Sequence, residues 1–153
     1  MTNGPPELRR TDRSLPIALL RARETVMAPI RVMLSKSGIS EQKWRVIRVL
    51  AEAGPMEQTA LAERACLLLP SLTRMLRAME GEGLLTRAAD ENDGRKSIVT
   101  VTAKGRQVIT DHAAASRAIF LELEKRFGAK RLETLLDLLE DLTDHDESSP
   151  SRG

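Results

Sequence analysis

A chain of 153 residues with 41% apolar and 30% charged content has the makeup of one packed domain. Its three aromatic residues, Trp44, Phe120 and Phe127, leave the core to aliphatic side chains and favour helices. The net charge of +2 is unevenly spread: residues 1–42 and 43–106 each carry +3 and residues 107–153 carry −4. A basic front and an acidic rear suit a protein that turns one face to a polyanion.

Several classes are excluded early. Cys66 stands alone, so neither an internal disulfide nor a multi-cysteine metal site is available, and no metal or cofactor is expected. No apolar run approaches the ~18 residues that cross a bilayer. The Pro-rich, charged N-terminus lacks the apolar stretch of a signal peptide, and a cytoplasmic location is expected. The two histidines, His112 and His145, fall on different helices, and neither a phosphate loop nor a nucleophile with its base is present, so no catalysis is expected.

Residues 1–13 read as a flexible arm. Ser14 opens a helix to about Leu34 that is apolar on more than one side, with Pro29 inside it. Ser40 caps a second helix, Glu41 to about Ala53, with Trp44, Ile47, Val49 and Leu50 mostly inward. Gly54-Pro55 ends it, and a short helix runs from about Glu57 to Arg64. Leu69-Pro70 marks the next helix start. From there Leu72, Met75, Leu76 and Met79 form one inward stripe, opposite Ser71, Thr73, Arg74, Arg77 and Ala78.

Leu84–Arg87 reads as a strand, residues 88–95 as a turn built on Asp93-Gly94, and Ser97–Val101 as the returning strand. Thr102 caps a long helix to Phe127, and a last helix spans Ala129 to about Asp144, followed by a polar tail at 146–153. The expected fold is mainly α: a winged helix-turn-helix with a β-hairpin wing. Residues 40–102 form the DNA-binding lobe, and helices at 14–34 and 103–145 carry more apolar surface than one chain can bury, which points to a homodimer.

The function follows from the exposed side chains. A recognition helix aims its N-terminal residues at base edges; Arg reads guanine O6 and N7, and Ser or Thr reaches bases or phosphates. Ser71, Thr73, Arg74 and Arg77 supply that set, and Arg95 and Lys96 follow at the hairpin tip, where a basic side chain can enter a minor groove. The plainer account is a solvated helix face and a solvated turn. A module used only for protein contacts would also leave these arginines idle.

The run Pro-Ser-Leu-Thr-Arg-Met-Leu-Arg-Ala-Met-Glu-Gly-Glu-Gly-Leu-Leu-Thr-Arg (70–87) resembles the MarR family of regulators. So do Asn-Asp-Gly-Arg-Lys-Ser-Ile-Val-Thr-Val-Thr-Ala-Lys-Gly (92–105), with an Asp-x-Arg wing and a Thr-x-x-Gly helix start, and Leu-Ala-Glu-Arg-Ala (61–65). Within that family, residues 14–24, 41–52 and 64–73 resemble the subfamily of repressors of homoprotocatechuate (3,4-dihydroxyphenylacetate) degradation operons.

The resemblance implies a homodimer on a double-stranded, pseudo-palindromic operator, released by a small aromatic acid. It implies that Asp93 orients Arg95, with Arg77 as a second partner. It also implies an effector cleft between the dimerisation helices and the lobe. A carboxylate there needs a cation and a ring needs an apolar wall; Arg21, Arg23, Trp44, Arg45, Arg48 and His112 are the candidates. Equally, Trp44 and His112 are ordinary core and the arginines pair with Glu24, Glu41 or Glu52. Some relatives sense peroxide through a cysteine; Cys66 is the one residue that could do so here, and its apolar neighbours suggest a buried, inert thiol instead.

Overall fold

The computed structural model describes residues 8–147, with side chains to Asp144. Most of the expected arm and tail therefore lies outside the described residues. A 3-10 turn at Thr11–Arg13 precedes α1 (Leu15–Ser35), so the arm is folded just ahead of the first helix. Then come α2 (Glu41–Ala53), β1 (Met56–Glu57), α3 (Gln58–Arg64), α4 (Leu69–Gly81), β2 (Leu85–Ala89), β3 (Ser97–Val101), α5 (Ala103–Phe127) and α6 (Ala129–Glu147). The chain divides into two compact units, residues 1–114 and 115–153.

In the first unit the helix caps are local and mostly as expected. The Ser40 hydroxyl accepts from the Lys43 N–H at 3.2 Å, satisfying one of the orphan donors of α2. Ser14 makes no such side-chain bond; its carbonyl accepts from Ala18 N–H instead. Gly54 ends α2 with φ 84°, backbone that an L side chain rarely adopts.

The lobe closes around one aliphatic cluster. Val46, Ile47 and Leu50 of α2 meet Leu61, Ala62 and Ala65 of α3 and its end, Leu72, Leu76 and Met79 of α4, and Leu84, Leu85, Val99 and Val101 of the hairpin. Val46 is fully buried although the periodic reading of α2 placed only its neighbours inward. Burying side chains of this size stabilises by roughly 1.5–3 kcal/mol each.

β2 and β3 pair antiparallel from Leu85–Val101 to Ala89–Ser97, and β1 adds to the far edge of β3 through Met56–Val99 and Glu57–Ile98. The third strand was not legible as such: the sequence reading started a helix at Glu57. Two residues show no alternation, and it is the open edge of β3 that makes them a strand.

The second unit is the C-terminal part of α5 with α6. Leu123, Phe127, Leu132 and Leu139 are half-buried, and the Arg131 guanidinium lies 4.3 Å from the centre of the Phe127 ring. Leu121, Leu135, Leu136, Leu138 and Leu142 stay exposed, as do Leu15, Leu19, Leu20 and Val32 of α1 in the first unit.

Candidate nucleic-acid interface and effector pocket

α4 is held by the residues around it. At its C-terminal end, three successive carbonyls are taken by the start of α5. Lys104 Nζ donates to Glu82 O at 2.7 Å, the Thr102 hydroxyl to Gly83 O at 2.6 Å, and the Thr102 N–H to Leu84 O at 3.1 Å. The Thr102 Oγ1 also accepts from Gly105 N–H at 3.1 Å, so it caps α5 as the sequence suggests. Gly105 permits the approach: a Cβ there would lie 2.3 Å from Leu84 O and 2.6 Å from Val101 Cγ2. Lys43 of α2 adds a 2.6 Å ion pair to Glu82.

On the outer face, Arg74 and Arg77 are exposed and have no ion pair or side-chain hydrogen bond among the described residues. Ser71 is half-buried. Thr73 is exposed, but its hydroxyl donates to Leu69 O at 2.9 Å and accepts from Gln58 Nε2 at 2.6 Å. Nothing in the spacing of the sequence marks Gln58, which comes from α3, fifteen residues away.

The wing turn covers residues 90–96. Asp90 N–H bonds Lys96 O at 2.9 Å, Lys96 N–H bonds Asp93 O at 3.0 Å, and Asn92 N–H bonds the Asp90 carboxylate at 3.1 Å. Gly94 is not at positive φ, so the tip is not the tight Asp-Gly hairpin turn anticipated from its sequence. Asp93 receives the Arg95 backbone N–H at 3.1 Å. It therefore shapes the turn through the Arg95 main chain; no bond from it to the guanidinium of Arg95 or Arg77 is present among the described residues. The Lys96 ammonium is 3.9 Å from Glu57, and Arg95 is exposed. At the wing base, Arg87 donates its N–H at 3.1 Å and its guanidinium at 3.3 Å to Glu80 of α4. The hydrogen bond from that guanidinium, helped by its charge, holds the Glu80 carboxyl below its ordinary pKa.

The six residues considered for an effector are only partly brought together. Trp44 is buried and stacks edge-on to His112, with ring centres 5.6 Å apart. His112 Nδ1 lies 2.7 Å from Val108 O, a pure acceptor, so Nδ1 carries the proton; Nε2 meets the Ser37 hydroxyl at 2.9 Å. Ser37, 75 residues away in the chain, was not foreseen. Arg23 is paired with Glu41 at 2.9 Å, and Arg31 adds a second, looser contact at 3.8 Å. Arg45 caps α3 through Ala65 O at 3.0 Å. Arg21 and Arg48 are exposed and carry no ion pair among the described residues.

Cys66 corrects an expectation. It is exposed, not buried. Its φ of 55° is left-handed because it follows the α3 C-cap: Leu67 N–H returns to Ala62 O at 2.9 Å and Cys66 N–H to Glu63 O at 3.2 Å, a Schellman closure. The apolar neighbours in sequence face elsewhere, since Leu67 packs on the core while Leu68 is exposed.

A tri-helical lobe whose third helix, α4, offers free arginines beside a hairpin with Arg95 and Lys96 at its tip defines a winged helix-turn-helix regulator. Among the described residues no helix is long and apolar enough to cross a membrane and no cluster of metal-ligating side chains occurs. A MarR family model matches residues 39–97. The homoprotocatechuate degradative operon repressor of Escherichia coli is 38% identical over 84% of this chain and 86% of its own. The crystal structure of transcriptional regulator PA4135 superposes with a TM-score of 0.82 at 37% identity, covering 90% of this chain and 98% of that one. That of NadR in complex with 4-hydroxyphenylacetate gives 0.79 at 32% identity, covering 88% and 98%. The chain belongs to the MarR family of transcriptional regulators, which are not enzymes.

Proposed function

We propose that this protein is a cytoplasmic repressor that binds a pseudo-palindromic operator as a homodimer and leaves it when a phenylacetate-type aromatic acid binds. The observation that carries the reading is the α4 face, where Arg74 and Arg77 stand free beside the wing with Arg95 and Lys96. Ser71 and Thr73 complete the surface toward DNA, and Asp93 sets the turn that presents Arg95. The bare leucines of α1 and α6 favour a second copy as their cover, and a two-fold dimer reads half-sites about 10 base pairs apart or a multiple of that.

For the effector, Trp44 and His112 provide the wall and Arg21 and Arg48 the free cations, with Arg23 and Arg45 acting from their bonds to Glu41 and the α3 carbonyls. The likeness to the two aromatic-acid-linked relatives supports 3,4-dihydroxyphenylacetate as the first ligand to try. A 100-fold shift in occupancy needs only ~2.7 kcal/mol of differential binding.

Titrating the full-length protein into duplex DNA from upstream of its own gene, with and without 3,4-dihydroxyphenylacetate or 4-hydroxyphenylacetate, tests this. Salt-dependent, specific binding by one dimer that the acid abolishes is expected. Binding indifferent to both acids removes the effector, and no specific binding to any promoter fragment leaves the protein-contact module as the reading.

A further inference from the structure

The start of α4 takes the DNA-binding reading, on which this inference rests, down to the bases. Leu68 is 77% exposed and Leu69 42% exposed, while their neighbour Leu67 packs on the core. Leu68 gains little from the chain's own folding, and Leu69 leaves about two-fifths of its surface outside. One turn further on, Thr73 has committed its single hydroxyl proton to Leu69 O, and Gln58 occupies one of its lone pairs. It cannot donate to a phosphate or a base acceptor; what remains is its methyl group and one acceptor site.

Leu69, Thr73 and Arg77 follow one another at i, i+4 and i+8, on one row of the helix surface. Arg74 lies beside Thr73. The row thus passes from apolar to cationic over about 12 Å of helix axis, the length of roughly three to four base-pair steps. The unpaired guanidiniums give the surface the charge complement of DNA. In the major groove the apolar complement is the thymine C5-methyl, and the cationic one is guanine O6 and N7. Phosphate contact alone would call for hydroxyl donors and lysines at the helix entry in place of two leucines.

We propose that Leu68, Leu69 and Thr73 read thymine methyl groups, and that each operator half-site places thymine within about four base pairs of a guanine met by Arg74 or Arg77. Thr73 acts here as a methyl group positioned by Gln58.

The test uses the full-length dimer. Preferred sites are selected from a random duplex pool, and each thymine in turn is then replaced by deoxyuridine, which removes only the C5-methyl. Affinity is expected to fall about fourfold, the ~0.8 kcal/mol of one buried methyl, at one or two thymines per half-site. That penalty disappears in Leu69→Ala or Leu68→Ala, and in Thr73→Ser, which keeps the hydroxyl bonds and loses only the methyl. Circular dichroism checks that each variant is folded. Sites bound tightly but indifferent to deoxyuridine overturn the inference and leave the regulator reading intact. Penalties that persist in all three variants assign the methyl contacts to other residues and overturn it too. A pool that yields no preferred sequence overturns the DNA reading itself, and this inference with it.

Discussion

The lobe around α4 and the helices α1 and α6 are built from the same aliphatic residues, yet they end in opposite states. In the lobe, every large apolar residue of the α4 stripe is buried or half-buried, and what remains outside is charged or reads as a contact surface. Along α1 only Ile30, Met33 and Leu34 are buried, and α6 has no buried residue among its described side chains. Leu15, Leu20, Val32, Leu136 and Leu138 are each more than half exposed. The lobe closes its core within one chain, whereas the terminal helices leave apolar surface outside, which the second copy proposed above would cover. Stability of the lobe and affinity between copies should therefore respond to different substitutions.

The largest expected effect is inside the lobe. Gly105→Ala forces a Cβ into Leu84 O and Val101 and should cost ~3 kcal/mol in thermal or urea denaturation, loosening the joint that fixes α4. Leu136→Glu should do the reverse. It should leave the far-UV spectrum of the protein intact while weakening self-association roughly 100-fold by analytical ultracentrifugation, the effect of losing one buried leucine and adding a charge. If Leu136→Glu unfolds the chain at concentrations where the monomer predominates, the distinction between a self-sufficient lobe and dependent helices fails.

Smaller effects sharpen the picture within the lobe. Cys66→Gly removes the steric cost of a left-handed Cβ and should stabilise by ~1 kcal/mol, with DNA affinity unchanged. Peroxide that leaves the DNA affinity of the unsubstituted protein unchanged would argue against Cys66 as a redox sensor, for which its exposure alone is not a reason. The smallest effect is acid-sensitive. Glu80 has a lowered folded pKa through Arg87, so its contribution is present above the unfolded carboxyl pKa and is lost as pH falls through the folded value. In Glu80→Gln that part of the acid-side loss of stability should disappear from a pH series of melting curves, and at neutral pH the difference should be slight because Glu80 is solvent-exposed.

The wing and the effector region show where sequence reading stops. The Ser40 and Thr102 caps were legible because each depends on residues three positions apart, and the hairpin because a turn-forming stretch separates two short strands, the first of which runs two residues further, to Ala89, than the sequence reading had it. The shape of the wing tip was not. Asp93-Gly94 carries the composition of a tight turn, but carboxylates at Asp90 and Asp93 bond the backbone of a longer loop and leave Gly94 out of the left-handed region. Likewise Arg45 has the chemistry of an anion ligand in any list of residues; the carbonyls at the end of α3 decide what it touches.

The sequence by itself determined the order of helices and hairpin, the inward stripe of α4, the arginines opposite it and the surplus of apolar surface at the chain ends. All of these follow from periodicities and caps that act over one or two turns of backbone. Only the tertiary structure decided that Met56 and Glu57 become a strand, that the Thr73 hydroxyl is occupied by Gln58, that His112 rests between Trp44, Val108 and Ser37, and that Cys66 is exposed. In most of these the partner comes from a different element of the fold, and a donor, an acceptor or an open strand edge takes whichever group the fold brings within reach.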